Sequence, residues 1–207
     1  AAGREPPLSI VEDITSDGAA ERIKVQAMAR FGTLDVLVNN AGGSRPQSGL
    51  GTEAEWEEAM LLNYTAGRRL AHAFVPMMRE RKFGRIINIA SSAALRGYAY
   101  VSAYSAAKHG VLGLTRSLAL ETATKGITVN AVCPGYPDTD IIRQSVKQIM
   151  EKTGRSEAQA LASFTSTNPQ GRLILPEEVA ASVLWLCSEQ ARSVTGQAIS
   201  INGGEVM

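Results

Sequence analysis

Tyr104 and Lys108 lie four residues apart in a stretch rich in Ala and Leu, so on a helix both side chains share one face. A free phenol has a pKa of about 10 and is a poor base at neutral pH. An ammonium group beside it favours the phenolate and lowers that pKa. A tyrosine tuned in this way can donate a proton to a nascent alkoxide or remove one from an alcohol. Ser91 follows Arg85 to Ile89, a run that reads as a strand with apolar character on both faces, as a buried parallel strand requires. Open parallel sheets bind ligands at the carboxyl ends of their strands. A hydroxyl there can hydrogen-bond a substrate oxygen and stabilise its developing charge. Taken alone, Tyr-x-x-x-Lys also describes a solvated pair on a helix face, and its neighbours give it weight.

Those neighbours sit at other strand ends. Asn39-Asn40-Ala41-Gly42 follows the apolar run Leu34 to Val38. Asn side chains fix turns through nearby backbone, and Ala-Gly lets a ligand approach the chain closely. A simple polar turn is the bland reading. Pro134-Gly135-Tyr136-Pro137-Asp138-Thr139 follows the strand Thr128 to Val132 and precedes a helix. Thr139 can offer its hydroxyl to a phosphate or a nicotinamide amide near a helix N-terminus. It can equally serve as the helix cap.

Short apolar runs alternate with longer amphipathic stretches, the pattern of a parallel sheet covered by helices. Strands are expected at Leu8 to Val11, Leu34 to Val38, Arg85 to Ile89, Thr128 to Val132 and Ala198 to Ile201. Ser16 to Phe31 reads as a helix with Ile23, Ala27 and Phe31 on one stripe, stopped by Gly32. Thr52 to Glu55 fits a capping box that opens a long helix, and Pro76 is expected to kink or break it. Ser102 to about Ala123 reads as a helix. Asp140 to Lys152 and Glu157 to Phe164 read as two shorter ones separated by Gly154. Pro176 suits the first turn of a last helix, running to about Ser188. Without repeats or a linker, the chain reads as a single domain.

Composition excludes several classes. The 207 residues are 44% hydrophobic and 20% charged, the balance of an ordinary globular chain with a sizeable core. A net charge of +1 without a basic run gives no reason to expect a nucleic-acid partner. No apolar stretch approaches a membrane span, and Ala1 to Pro7 lacks the apolar region of a signal peptide. Cys133 and Cys187 have no metal-ligand spacing and read as reduced thiols, which points to the cytoplasm. A serine hydrolase lacks support: no Gly-x-Ser-x-Gly elbow surrounds Ser91 or Ser92, and His72 and His109 read as surface or helix-packing residues.

The order Asn39-Asn40-Ala41-Gly42, Asn63, Ser91, Tyr104-Ser105-Ala106-Ala107-Lys108 and Pro134-Gly135 resembles the short-chain dehydrogenase/reductase family. Gly171-Arg172, Pro176 to Ala180, Thr195-Gly196-Gln197 and Asn202-Gly203-Gly204 are similar to its C-terminal part, so the resemblance covers essentially the whole chain. It implies a Rossmann-like, doubly wound α/β fold in three layers, and hydride transfer between NAD or NADP and a carbonyl or secondary alcohol. Tyr104 would be the general acid/base. Lys108 would lower its pKa and bond the nicotinamide ribose. Ser91, with the family's thirteen-residue spacing to the tyrosine, would orient the substrate. Asn63 would kink its helix and help relay protons through water to the lysine. Asp13 and Ile14 would lie beside the adenine, and Asn39, Ala41 and Gly42 along the cofactor. Pro134, Gly135, Pro137 and Thr139 would lie at the nicotinamide end. Pro137 stands where the family usually has a branched apolar residue, and it has no N–H to give the carboxamide.

The family's opening βαβ unit with its Gly-rich turn, roughly 30 residues or more, is not recognisable before Leu8. Gly42, Gly43, Gly49 and Gly51 belong to a later loop. In the family order 3-2-1-4-5-6, a strand at Leu8 would then lack a neighbour, and the strand at Leu34 would present an edge. A fragment is therefore expected, and NAD cannot be told from NADP. Residues 137–172 read as a substrate lid whose Arg143, Lys147, Lys152 and Arg155 could meet an acidic thioester carrier, or simply face water. Within the family, the likeness is to β-ketoacyl reductases and 3-hydroxyacyl dehydrogenases. Homodimers or homotetramers are implied. The alternative is a cofactor-free family member acting as a binding or structural subunit.

Overall fold

The computed structural model describes residues 7–47 and 50–207; the expectations for the first six residues and for Gly49 lie outside them. Four strands, β1 (Val36–Asn39), β2 (Gly84–Ile89), β3 (Ile127–Pro134) and β4 (Ala198–Ile201), form one parallel sheet in that order. The register sets Val38 beside Ile87, Ile87 beside Asn130, and Ala131 beside Ala198. Every residue of β3 is buried because helices cover both of its faces.

The alternation of side chains divides the core in two. Leu37, Ile86 and Val129 face Ala27 of α1 (Ala19–Phe31), Phe74 and Met78 of α3 (Ala66–Arg81) and Ala119 of α4 (Ser102–Thr122). Ile87 and Val132 face Leu186 of α7 (Pro176–Cys187). The result is the expected three-layer, Rossmann-like arrangement. β1 has β2 as its one neighbour among the described residues, and its Val38 is 40% exposed.

Local sequence sets most element ends. Thr52 caps α2 (Glu53–Met60) in a reciprocal box, its Oγ1 accepting from the Glu55 N–H at 3.3 Å while Glu55 Oε2 accepts from the Thr52 N–H at 2.6 Å. Gly32, at φ +67°, closes α1 with its N–H on the Met28 carbonyl. One expectation fails. Leu8 to Val11 forms no strand: it pairs with nothing among the described residues, and Val11 is 97% exposed. Apolar character alone does not make a strand when no neighbour takes up its backbone hydrogen bonds. α3 runs through Pro76 to Arg81. Buried Phe74, Val75 and Met78 hold it on the sheet, and His72, whose carbonyl loses its partner, sits on the exposed side.

Candidate active site

β2 ends at Ile89, and the chain turns into a short 3₁₀ segment, Ser92–Ala94, with Ser91 at its N-cap. Ser91 Oγ accepts from the Ala93 N–H at 3.1 Å, and its hydroxyl is close enough to the Tyr104 phenol to favour the phenolate. α4 carries Tyr104 and Lys108 one turn apart, and the Lys108 ammonium lies 5.7 Å from the centre of the Tyr104 ring. Gln47, itself buried, accepts from the Ala103 N–H at 3.4 Å and ties the loop after β1 to the start of α4. The structure thus brings Ser91, Tyr104 and Lys108 together at the carboxyl end of β2.

The electrostatics differ from the simple expectation. Burial pushes the Tyr104 phenol above its usual value, and the Ser91 hydroxyl pulls it partway back. Lys108 is itself 4% exposed, and burial lowers its pKa to about 8. Its Nζ donates to the Ile89 carbonyl at 2.9 Å. Desolvation, rather than the neighbouring ammonium, sets the direction for the phenol.

Asn63 lies in a π-helical turn, Leu61–Thr65, inserted between α2 and α3. Its Nδ2 donates to the Ala59 and Gly43 carbonyls and its Oδ1 accepts from the Gly43 N–H, each at 3.0 Å. The buried amide is satisfied, and the wider turn marks where the long helix departs from regularity. A Cβ on Gly42 would come within 2.8 Å of Asn63 Oδ1 and 3.2 Å of Lys108 Nζ, so glycine is required for this approach. A cavity of about 20 Å³, lined by Asn39, Ala41, Asn63, Gly67 and Lys108 among others, lies alongside. That is room for about one water.

The other candidates fall around this centre. Asn39 Nδ2 donates to Asn88 Oδ1 at 2.8 Å, and Asn88 continues to Thr115 at 2.9 Å, linking β1, β2 and α4. Asn39 Oδ1 is buried without a partner. Asp13 is in an exposed turn before α1, its carboxylate accepting from the Thr15 N–H and hydroxyl, which lower its pKa. Ile14 follows it, partly buried, and Arg69 of α3 holds the turn through the Thr15 carbonyl at 3.2 Å. Gly135 succeeds Pro134 with its N–H on the Ile201 carbonyl at 3.1 Å, and a Cβ there would press on Asn202. Pro137 forms a parallel bridge with Ile174, and the missing N–H is immaterial to it because Asp138 N–H and the Tyr136 carbonyl make the bonds. Thr139 occupies the N-cap position of α5 (Asp140–Thr153), but its hydroxyl makes no capping bond.

Sequence reading missed Gln47, Asn88, Tyr98, Tyr136 and Glu205. Cys133, read there as a reduced thiol, is free and fully buried near Ser91, and burial raises its pKa to about 11. Tyr136 was legible as the aromatic within Pro134 to Thr139. Glu205 carried no signal, because its partners are distant in sequence.

Comparison with known proteins accords with this geometry. A family model described as enoyl-(acyl carrier protein) reductase matches residues 1–205. The acetoacetyl-CoA reductase of Rhizobium meliloti (strain 1021) is 40% identical over 194 residues, 93% of this chain and 76% of that protein. A D-beta-hydroxybutyrate dehydrogenase of Cupriavidus necator is 36% identical over 196 residues, 94% of this chain and 76% of that one. A crystal structure of an actinorhodin polyketide ketoreductase variant with NADPH matches with a TM-score of 0.87 and 36% identity, covering 93% of this chain and 75% of that chain. The fold and site define an oxidoreductase of the doubly wound α/β class. The chain belongs to the short-chain dehydrogenase/reductase family. Its activity is NAD(P)-dependent hydride transfer to or from a carbonyl carbon, and the cofactor-free alternative is not favoured.

Proposed function

We propose that the chain reduces a 3-oxoacyl thioester, with Tyr104 as the proton donor to the carbonyl oxygen. The observation that carries this reading is the convergence of Ser91 and Tyr104 beside a buried Lys108 at the carboxyl end of β2. Ser91 holds the substrate oxygen and stabilises its charge as the carbonyl is reduced. Tyr104, kept protonated by burial, gives up its proton as the alkoxide forms. Lys108 supports the resulting phenolate, and the Asn63 cavity has room for a water from which a proton can pass to Lys108 as the lysine returns its own to Tyr104. The alcohol-oxidising direction uses the same groups in reverse.

The residues present fit a dinucleotide. Gly42 leaves the space that a side chain would fill beside Lys108, and Asn39 Oδ1 supplies a buried acceptor without a partner. Asp13 and Ile14 would hold the adenine end, and Asn39, Ala41 and Gly42 the middle. Tyr104, Lys108, Pro134, Gly135, Pro137 and Thr139 would hold the nicotinamide end, with the unused Thr139 hydroxyl as a donor. When bound, the nicotinamide supplies or accepts the hydride.

The lid, about residues 137–172, comprises α5 and α6 (Glu157–Thr165) around a small core of Ile142, Val146 and Ala160. Arg143, Lys147, Lys152 and Arg155 are exposed on it, which supports an acidic carrier on the substrate, although Arg143 is already paired with Asp138. Self-association through α4 is supported by exposed Ala106, Gly113, Ser117 and Leu120 along that helix. Sedimentation at a homodimer or homotetramer mass is expected, and a monomeric mass would reject it. Free thiols at Cys133 and Cys187 support a reducing, cytoplasmic setting, and no helix among the described residues is long and apolar enough to cross a membrane.

The test is a fluorescence titration with NADH and NADPH, followed by turnover of acetoacetyl-CoA. Saturable binding with turnover is expected, and the tighter dinucleotide identifies the cofactor. Binding without turnover of acetoacetyl-CoA, while simpler ketones are reduced, would overturn the thioester assignment.

A further inference from the structure

Glu205 has a side chain only 1% exposed. Its Oε1 accepts from the Tyr98 hydroxyl at 2.7 Å and the Thr167 hydroxyl at 3.0 Å, and pairs with Arg96 Nη2 at 3.3 Å. Its Oε2 lies over Gly135, where a Cβ would come within 3.1 Å. The partners come from three places: the loop after β2 that begins with Ser91, the stretch after α6, and the turn after β3. Tyr98 Oη is also 2.8 Å from Ser92 Oγ. The phenol has one proton, which goes to the carboxylate, so it accepts from the Ser92 hydroxyl.

An aromatic wall rises from this point. The Tyr98 and Tyr136 rings meet edge-on at 6.4 Å, and Tyr136 meets Phe164 of α6 edge-on at 5.3 Å. Tyr136 lies close enough to Tyr104 for its charge to disfavour the Tyr104 phenolate. The tail is seated independently of the carboxylate. A Cβ on Gly203, at φ +64°, would overlap Asn168, whose amide is committed to the Arg172 carbonyl and the Gln170 N–H at 2.8 Å each. An ion pair with one half-exposed partner, as Arg96 is at 40%, adds little net stability. What this one supplies is a fixed relation between three segments.

We propose that Glu205 is a positioning residue of the carbonyl pocket, clamping Arg96 and Tyr98 of the serine loop to Thr167 of the lid and so holding the Tyr98–Tyr136–Phe164 wall against the substrate. This rests on the assignment of Ser91 and Tyr104 as the reacting centre. Glu205 itself touches neither.

The experiment compares the parent chain with Glu205→Ala, Glu205→Gln and Tyr98→Phe by amide hydrogen exchange, and by steady-state kinetics with acetoacetyl-CoA. Glu205→Ala is expected to speed exchange about tenfold or more over residues 92–101 and 157–172 while β2 and β3 stay protected. It is expected to raise KM for the carbonyl substrate about tenfold, with KM for the dinucleotide within about twofold. Glu205→Gln keeps an oxygen for Tyr98 and Thr167 and recovers most of the protection; Tyr98→Phe loosens the serine loop alone. Exchange rising equally through β2 and β3 would reduce Glu205 to a stability role and overturn the proposal. So would unchanged exchange together with unchanged KM. Absence of turnover in the parent chain would defeat the reaction assignment, and the exchange pattern would still decide the clamp.

Discussion

The two ends of β2 each bury a cation, and they treat it differently. At the amino end Arg85 is 3% exposed, stacks on Phe83 at 4.5 Å, donates to the Gly84 and Gly126 carbonyls, and pairs with Glu189 at 3.3 Å. The cleft it lines, of about 460 Å³, is far roomier than the cavity beside Lys108. At the carboxyl end Lys108, nearly as buried, has the Ile89 carbonyl and no ion-pair partner among the described residues. Arginine's planar donors suit permanent neutralisation, whereas lysine's point charge shifts with its surroundings. A cleft's size therefore does not locate the chemistry; the uncompensated cation does.

The sharpest way to break this comparison is Tyr104→Phe. It is expected to lower turnover about 10²–10⁴-fold, with the NAD(P)H fluorescence titration nearly unchanged. Normal turnover would refute the assignment of the carboxyl end as the reacting end.

Lys108→Met comes next, and it separates function from stability. In the fold the lysine has a pKa of about 8, against 10.5 for the free side chain, so between those values the unfolded chain binds more protons. Stability from this group therefore rises with pH across that window, and its penalty is complete below about 8. The variant lacks the penalty. Its urea-unfolding free energy relative to the parent is expected to be most favourable at neutral pH and to shrink toward pH 10.5, while turnover is lost. A difference independent of pH would contradict this picture.

Arg85→Met is expected to do the reverse, lowering stability by about 1–3 kcal/mol through its lost carbonyl bonds and leaving kcat and KM alone. A kinetic defect at unchanged stability would erase the distinction between the two ends. The smallest effect is expected for Glu189→Gln: below about 1 kcal/mol in urea unfolding, because that carboxylate is 66% exposed and well solvated. A larger loss would mean that Arg85 depends on its counter-ion rather than on the backbone.

Much of this was legible beforehand because it is local. The Thr52 capping box, Gly32, Gly154 and Pro176 set helix ends through contacts a few residues long, and each element lies where those signals put it. The strands at Ala198–Ile201 and around Arg85–Ile89 were clear from apolar runs bounded by turn residues. Leu8–Val11 misled for a non-local reason, since a strand needs a neighbour and none among the described residues is paired with it. Pro76 does not end its helix because helix propensity is a weak term beside the burial of Phe74 and Met78.

Residue type and spacing carried the family and most of the element order, and they singled out Asn63, Ser91, Tyr104 and Lys108 as the candidate tetrad. Tertiary structure alone decided the balance of charge. Whether Lys108 finds a carboxylate, whether Tyr104 is raised or lowered, and which segments meet at Glu205 depend on burial and on partners far apart in the chain. Spacing can place two groups on one helix face; only packing sets how much water, and which countercharge, they keep.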